Sequence, residues 1–294
     1  MGRNIDNGVW LVMSSPVIDA ERYTDMMVDF DHAGYPLAAI CSMAKPFILK
    51  YLKDYFDNEF LRTGKYPAIN KKGEVIYLDL INPESEYSID FLDDKISQFI
   101  KGYSTRFEPI KIPKNRQNID NLYMVISGRF GGSSAITSRP ATWTDVIYLA
   151  AERAVANKYV MSSRYPIEDF YGIFYVKPRI MTTTRTTKAI IDGVEYPFYP
   201  VVEVNKDSSH SFINTMSPSN VYLQGMGGDY DGDSIPNRMI FTDEANAEAA
   251  KFTRDPKNFV NLNGVNIRTT TKDFIQSLYS LSKPTDKVKL VDLN

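Results

Sequence analysis

Gly227-Gly228-Asp229-Tyr230-Asp231-Gly232-Asp233 sets three carboxylates at alternate positions among glycines, shortly after Val221-Tyr222-Leu223. In an extended strand alternate side chains share a face, so the aspartates would point one way and Tyr230 the other. Full extension separates them by roughly 6–7 Å per step, too far apart to hold one ion. Gly228 and Gly232 relieve this, because glycine accepts the φ values of a tight turn. Carboxylates drawn together repel unless a cation neutralises them. An all-oxygen set suits Mg²⁺, which keeps several waters and completes its shell from substrate phosphates. The stretch therefore reads as a phosphoryl-transfer centre, with a solvated Asp/Gly turn as the plain alternative. A calcium EF-hand is excluded: counted from Asp229, its sixth and twelfth positions need Gly and Glu, and the chain has Ser234 and Ile240.

Residues 227–233 resemble the N-A-D-F-D-G-D signature of the largest, β′-like subunit of multisubunit RNA polymerases. The likeness continues on both sides in the family's order. Upstream, Arg164-Tyr165-Pro166-Ile167-Glu168-Asp169-Phe170-Tyr171-Gly172-Ile173 is similar to R-x-P-(T/S)-L-H-R-x-G-I. Downstream, residues 241–249 resemble L-x-E-A-Q-x-E-A, while Lys257-Asn258-Phe259-Val260, Asn263-Gly264 and residues 273–279 follow N-N-I, N-G and Q-D-V-V-x-G-L-Y-Y. The matches cover roughly residues 160–283, and the compact, tyrosine-rich version looks closer to polymerases encoded by large bacteriophages than to cellular subunits.

The resemblance implies an α+β fold: a double-psi β-barrel catalytic core with flanking helices, behind an N-terminal mixed α/β region. It divides the chain into residues 1–120 of unread role, a catalytic barrel with its entry helix over 121–242, and a helical segment over 243–294. It implies a DNA-dependent RNA polymerase subunit performing two-metal nucleotidyl transfer from an NTP to an RNA 3′-hydroxyl. Asp229, Asp231 and Asp233 would ligate Mg²⁺, and Arg164, with Pro166, would meet the incoming nucleotide. Two departures matter. The family's leading Asn, which reads the ribose 2′-hydroxyl, is Gly227, and its T-L-H-R is Ile167-Glu168-Asp169-Phe170. No G-D-K or H-G-x-K-G segment supplies the basic residues of a second barrel. A split subunit or fragment is expected, working with other β- and β′-like subunits, a DNA template and RNA product, in the host bacterial cytoplasm or packaged in the virion. Two other enzymes share the motif: RNA-dependent RNA polymerases of the two-barrel superfamily, and haloacid-dehalogenase-like phosphatases, which share only Asp229-Tyr230-Asp231-Gly232. A scaffold that no longer binds metal is the non-catalytic alternative.

The 294 residues, 43% hydrophobic and 24% charged, describe a soluble globular chain of one large or two ordinary domains. No apolar run is long enough for a membrane span, and the N-terminus lacks a signal-peptide pattern. The lone Cys41 excludes an internal disulfide, and His32 and His210 leave little room for histidine chemistry. A net charge of −2 is low for a free-standing nucleic-acid binder, so DNA would need basic partners or a locally basic groove. One such groove is offered by Lys177, Arg179, Arg185 and Lys188, with no acid between them; a solvated hairpin is the alternative. Lys101, Arg106, Lys111, Lys114 and Arg116 form a second basic stretch, read as a solvated face or as phosphate contacts.

Periodicity predicts a strand within 9–18, a helix over 43–61 with an aromatic stripe from Phe47 to Phe60, a strand over 73–81 and a helix over 88–101 begun by Ser88. A strand at 124–127 runs into a Gly/Ser-rich loop without the Walker pattern, and Thr142 or Thr144 caps a helix over 144–158. Short strands are expected at 172–176, 190–194 with an Asp192-Gly193 turn, 201–204, 221–224 and 238–241. Thr242 caps a helix over 243–252, and Thr271 starts another.

Overall fold

The structure, a computed structural model, describes residues 7–16, 30–63, 65–71, 74–79, 87–102, 106, 108–127, 136–167, 170–181, 187–191, 194–198, 213–269, 279 and 282. It is mixed α+β. Strands β1 (Gly8–Val12), β2 (His32–Pro36), β7 (Val160–Ser163), β8 (Ile173–Met181), β11 (Ser217–Pro218) and β12 (Ser234–Met239) form one curled, half-barrel sheet, ordered β1-β12-β7-β8-β2-β11. β2 runs parallel to β8, and the other named pairs are antiparallel. The curl brings the two edges together at a parallel bridge between Met13 and Met216, with Met216 N–H donating to Val12 O (3.0 Å) and Ser14 N–H to Met216 O (2.8 Å).

Helices α1 (Leu37–Thr63), α2 (Ile89–Lys101) and α3 (Trp143–Val155) pack together beside this sheet. Hairpins β3–β4 (Tyr66–Ile69, Val75–Leu78), β5–β6 (Tyr123–Ser127, Ile136–Pro140) and β9–β10 (Thr187–Ile191, Val194–Phe198) make three further two-stranded sheets. One apolar core, running from Met13 through Ile48, Leu92 and Ile147 to Met239, joins the helices to the sheet's inner face. Within it, Phe56 stacks on Tyr87 at 4.2 Å between ring centroids.

Local chemistry sets the helix starts. Ser88 accepts from Phe91 N–H at the start of α2, and Thr142 with Asp145 forms a capping box on α3. Thr242 accepts from Ala245 N–H to begin α5 (Asp243–Arg254), whose acidic first turn complements the helix dipole. α1 begins at Leu37 rather than near residue 43, and bends at Ala44 (φ −114°, ψ 18°) just before Pro46. Proline's missing N–H and ring clash explain the bend. Of the expected stripe, Ile48, Leu52 and Phe56 are buried, whereas Tyr55 is exposed.

The expected strand at 221–224 is not one. Asn220–Tyr222 is a 3-10 turn running into the one-turn helix α4 (Leu223–Met226). Gly227 closes α4 in the left-handed conformation, its N–H donating to Gln224 O, which an extended chain could not do. β12 begins at Ser234, four residues before the expected strand at 238, and β2, β3, β6, β7 and β11 have no counterpart among the expected strands. The strand expected at 201–204 and the turn Asp192-Gly193 lie outside the described residues. So does the helix from Thr271, apart from Tyr279 and Ser282, which are helical. No helix among the described residues is long and apolar enough to cross a membrane. Cys41 is a buried free thiol.

Candidate metal centre

α4 delivers the chain into the aspartate turn, and β12 takes it away. Gly227 at φ +60° turns the backbone, and Gly228 N–H bonds Leu223 O at 2.9 Å. A side chain at Gly228 would put its Cβ 3.0 Å from Met13 Cε and 3.3 Å from Met226 Cγ, so the turn lies tight against β1's end. Met13 N–H donates to Asp233 O at 2.8 Å, which fixes the start of β12. Tyr230 folds back toward Asn220, within a turn rather than an extended strand, and its hydroxyl donates to Asn220 Oδ1 at 2.5 Å. Burial pushes that phenol's pKa up.

The three aspartates converge. One carboxylate oxygen from each of Asp229, Asp231 and Asp233 lies within 4.8 Å of the others. An octahedral oxygen shell at about 2.1 Å puts adjacent ligands about 3 Å apart and opposite ones about 4.2 Å apart. With inward closure the three oxygens could hold a metal ion. Asp229 and Asp231 are exposed and Asp233 half-buried, leaving room for water or substrate oxygens.

Arg164, following β7, reaches across to this turn. Its Nε donates to Asp233 Oδ2 at 2.7 Å and its Nη2 to Oδ1 at 3.2 Å, a two-pronged pair. Asp229 N–H also donates to Asp233 Oδ2, at 3.3 Å. The guanidinium holds the Asp233 carboxyl below the usual carboxylate range, and Asp233 in turn raises the arginine's pKa. Asp231 shifts the other way: the hydrogen bond it shares with Asp229, then that neighbour's charge, raises its pKa. The cluster thus holds one carboxylate paired with arginine and two that crowd each other.

The other expected residues are placed differently. Pro166 is exposed and follows a cis Tyr165–Pro166 peptide. Lys177 pairs with His32 across β2–β8, and its neighbour Val176 pairs through Val160 with Met239. Met239 is six residues along β12 from Asp233, or about 20 Å at strand rise. Lys177 instead sits 3.9 Å from the buried carboxylate of Asp31 and over the Tyr159 ring at 5.8 Å. Asp31 also meets His32 Nδ1 at 2.5 Å, so this histidine is half-buried and partnered rather than a loose surface group. Arg179 is exposed two residues further on. Arg185, the Lys188 side chain and His210 lie outside the described residues. In the earlier basic stretch Arg106 is buried, its Nε donating to Phe99 O at 3.0 Å and its guanidinium 4.9 Å from that ring's centroid. It is a core residue, not a phosphate contact.

Three contributors were not legible in the sequence. Met13 acts through its backbone, which no composition signal marks. Asn220 is recognisable only once Tyr230 is known to fold back. Arg268 lies against α4, with Nη1 3.4 Å from Tyr171 O and its guanidinium 4.6 Å from the Tyr222 ring centroid; burial lowers its pKa. No protein-family model matches the sequence, and comparison with curated proteins returns no match.

Proposed function

We propose that this chain is the catalytic β′-like subunit of a DNA-dependent RNA polymerase, transferring a nucleotidyl group from an NTP to an RNA 3′-hydroxyl. The observation that carries the reading is the meeting of Arg164 with Asp229, Asp231 and Asp233. The resemblance rests on two separate blocks, 164–173 and 227–233, and a shared site requires those blocks to touch. Bound Mg²⁺ would acidify the attacking hydroxyl and neutralise charge on the phosphates and the leaving pyrophosphate.

The chain's own residues supply the frame. The three aspartates provide negative charge at one point, and β12 with Met13 holds the last of them in place. Arg164 offers a planar donor fork next to them, suited to an oxygen pair on the incoming nucleotide's sugar. While no nucleotide is bound, that fork serves as the counter-charge of Asp233.

The strand order supports a double-psi barrel. With the Met13–Met216 bridge counted as a contact between β1 and β11, exchanging β1 with β8, β2 with β11 and β7 with β12 maps the strand order onto itself. Antiparallel β1–β12 becomes antiparallel β8–β7, and parallel β2–β8 becomes the parallel contact at Met13 and Met216, next to β11. Such an internal twofold is expected of a barrel built from two interlocked halves, with β1 and β2 drawn from the N-terminal region. The net charge of −2 supports work inside an assembly, where other β- and β′-like subunits bring the basic surface for DNA template, RNA and NTP.

The test is Mg²⁺-dependent extension of an RNA primer on a DNA template by the chain alone, by the chain with its co-purifying partners, and by that complex carrying Asp231→Ala. Activity in the complex alone, abolished by the substitution, is the expected result. Extension by the substituted complex would overturn the mechanism. Preference for an RNA template would move the chain to the RNA-dependent branch, and phosphomonoester hydrolysis by the isolated chain would make it a phosphatase.

A further inference from the structure

We infer that Trp10 and Tyr165 form a stacking platform for a base of single-stranded RNA beside the metal centre; this rests on the polymerase reading for its biological meaning, not for its chemistry. The two rings lie side by side on the surface rather than singly. Trp10 is 64% exposed and Tyr165 56% exposed, yet their rings stack with centroids 6.1 Å apart and planes 26° from parallel. Each ring orders the other, so a flat ligand meets a surface already fixed.

Position ties the pair to the site. Tyr165 directly follows Arg164, which grips Asp233. Trp10 pairs with Pro236 on β12, three residues beyond Asp233, or about 10 Å along the strand. That is about three stacked bases at ~3.4 Å each.

The surrounding chemistry suits RNA better than a protein surface. On β1 the outward residues are Gly8, Trp10 and Val12, and across from Gly8 stands Arg238, on the same outward face as Trp10. Arg238 is partly exposed and makes no ion pair among the described residues. Aromatic faces take bases of any sequence, and an arginine beside them takes the phosphates. A protein interface would want a broad apolar patch, but here Arg238, Ser234 and the acidic turn break the apolar surface around the two rings.

Only two tryptophans are present, and Trp143 is 4% exposed, so collisional quenching of intrinsic fluorescence reports on Trp10. Short oligoadenylate added to the full chain is expected to quench that emission and shield it from iodide. In fluorescence anisotropy with labelled oligoadenylate, Trp10→Ala and Tyr165→Ala weaken binding about tenfold, whereas Trp10→Phe retains most of it. Equal affinity of wild type and Trp10→Ala would overturn the proposal, as would equal quenching by inorganic triphosphate, which has no base. Loss of co-purifying chains in Trp10→Ala with RNA affinity unchanged would assign the rings to a protein interface instead. Asp231→Ala separates the two readings. It should leave oligoadenylate quenching intact, and if its complex still extends primers the polymerase mechanism falls while the platform stands.

Discussion

Arg164 and Asp233, 69 residues apart in sequence, are joined by two hydrogen bonds of 2.7 and 3.2 Å. The pair links the end of β7 to the start of β12 and places a cation where metal and nucleotide are expected. Arg164→Lys keeps the charge and loses the fork. It should lower nucleotide incorporation by the partner complex by roughly a hundredfold, the scale of losing one preorganised donor. Mn²⁺ affinity, followed by electron paramagnetic resonance, should not fall, because the arginine competes for Asp233. A parallel fall in both would mean that Arg164 acts by shaping the metal site instead.

Asp231 is exposed and repelled by its neighbours, so the metal-free fold gains nothing from its charge. Asp231→Ala should leave the melting temperature in EDTA unchanged or slightly raised, as a surface substitution does. Mg²⁺ at a hundred times its dissociation constant should stabilise the wild type by about 2.7 kcal/mol, and the variant hardly at all. Differential scanning calorimetry with and without Mg²⁺ reads both, and an equal Mg²⁺ response in the two proteins would remove the metal from this turn.

The opposed shifts of Asp231 and Asp233 predict a pH signature. Asp231, raised by Asp229, keeps its proton to a higher pH than an ordinary aspartate, whose value is 3.8. Metal must displace that proton, so affinity falls as pH drops through the raised value, and calorimetry at mildly acidic pH should record proton release. Asp229→Ala should abolish the release. Asp233, lowered by Arg164, contributes stability that is present above the ordinary value and is lost as pH falls through its depressed one. Arg164→Ala should therefore flatten the acid limb of the melting-temperature profile.

What the sequence disclosed was local or periodic. Ser88 and Thr242 each accept from the backbone N–H three residues on, and Thr142 N–H donates to Asp145 Oδ2, so their helices could be placed from neighbours alone. The four residues from Val221 to Gln224 carry no period that separates a strand from a helical turn, and the left-handed Gly227 decides the matter. β2, with Gly34 and Pro36, looks unlike a strand and exists through its parallel pairing with β8, far along the chain. Lys177 looked free because no acid lies near it in sequence, while Asp31 reaches it only in the fold. The convergence of the aspartates was legible from Gly228 just before them and Gly232 between the last two. The resemblance implied Arg164 only as a contact for the incoming nucleotide, and its bond to Asp233 emerges from the fold.

Tyr35, Ser162 and Asn237 form a buried polar network that ties β2, β7 and β12 together. The Tyr35 hydroxyl lies 2.9 Å from Ser162 Oγ and 3.3 Å from Asn237 Oδ1, and Ser162 Oγ donates to the same oxygen at 2.6 Å. Burial raises the Tyr35 pKa well above its ordinary value, so the phenol stays a donor throughout the working range. Tyr35→Phe leaves Ser162 and Asn237 bonded to each other and should cost about 1 kcal/mol. Asn237→Leu leaves the two hydroxyls bonded only to each other, with one O–H donor unpaired, and should cost about 1–3 kcal/mol more, read as midpoints of urea unfolding. Equal costs would show that the three side chains do not act as one network.

Gly227 stands where the resembled family has the asparagine that reads the ribose 2′-hydroxyl. Its φ of +60° is left-handed, which most side chains enter at a cost of roughly 1–2 kcal/mol and asparagine enters more easily. Space is no obstacle, since an added Cβ would have Arg164 Nη1 at 3.8 Å as its nearest neighbour. Gly227→Asn should therefore fold with little loss of stability, and Gly227→Val should be destabilised by the full strain. If the turn holds the nucleotide as proposed, the asparagine amide comes within reach of the sugar, beside Arg164. The Gly227→Asn complex should then favour ribo- over deoxyribonucleotides more strongly than the wild type in primer-extension competition. An unchanged ratio, with the variant folded and active, would mean that the sugar lies away from Gly227 and that ribose is selected by another chain of the assembly.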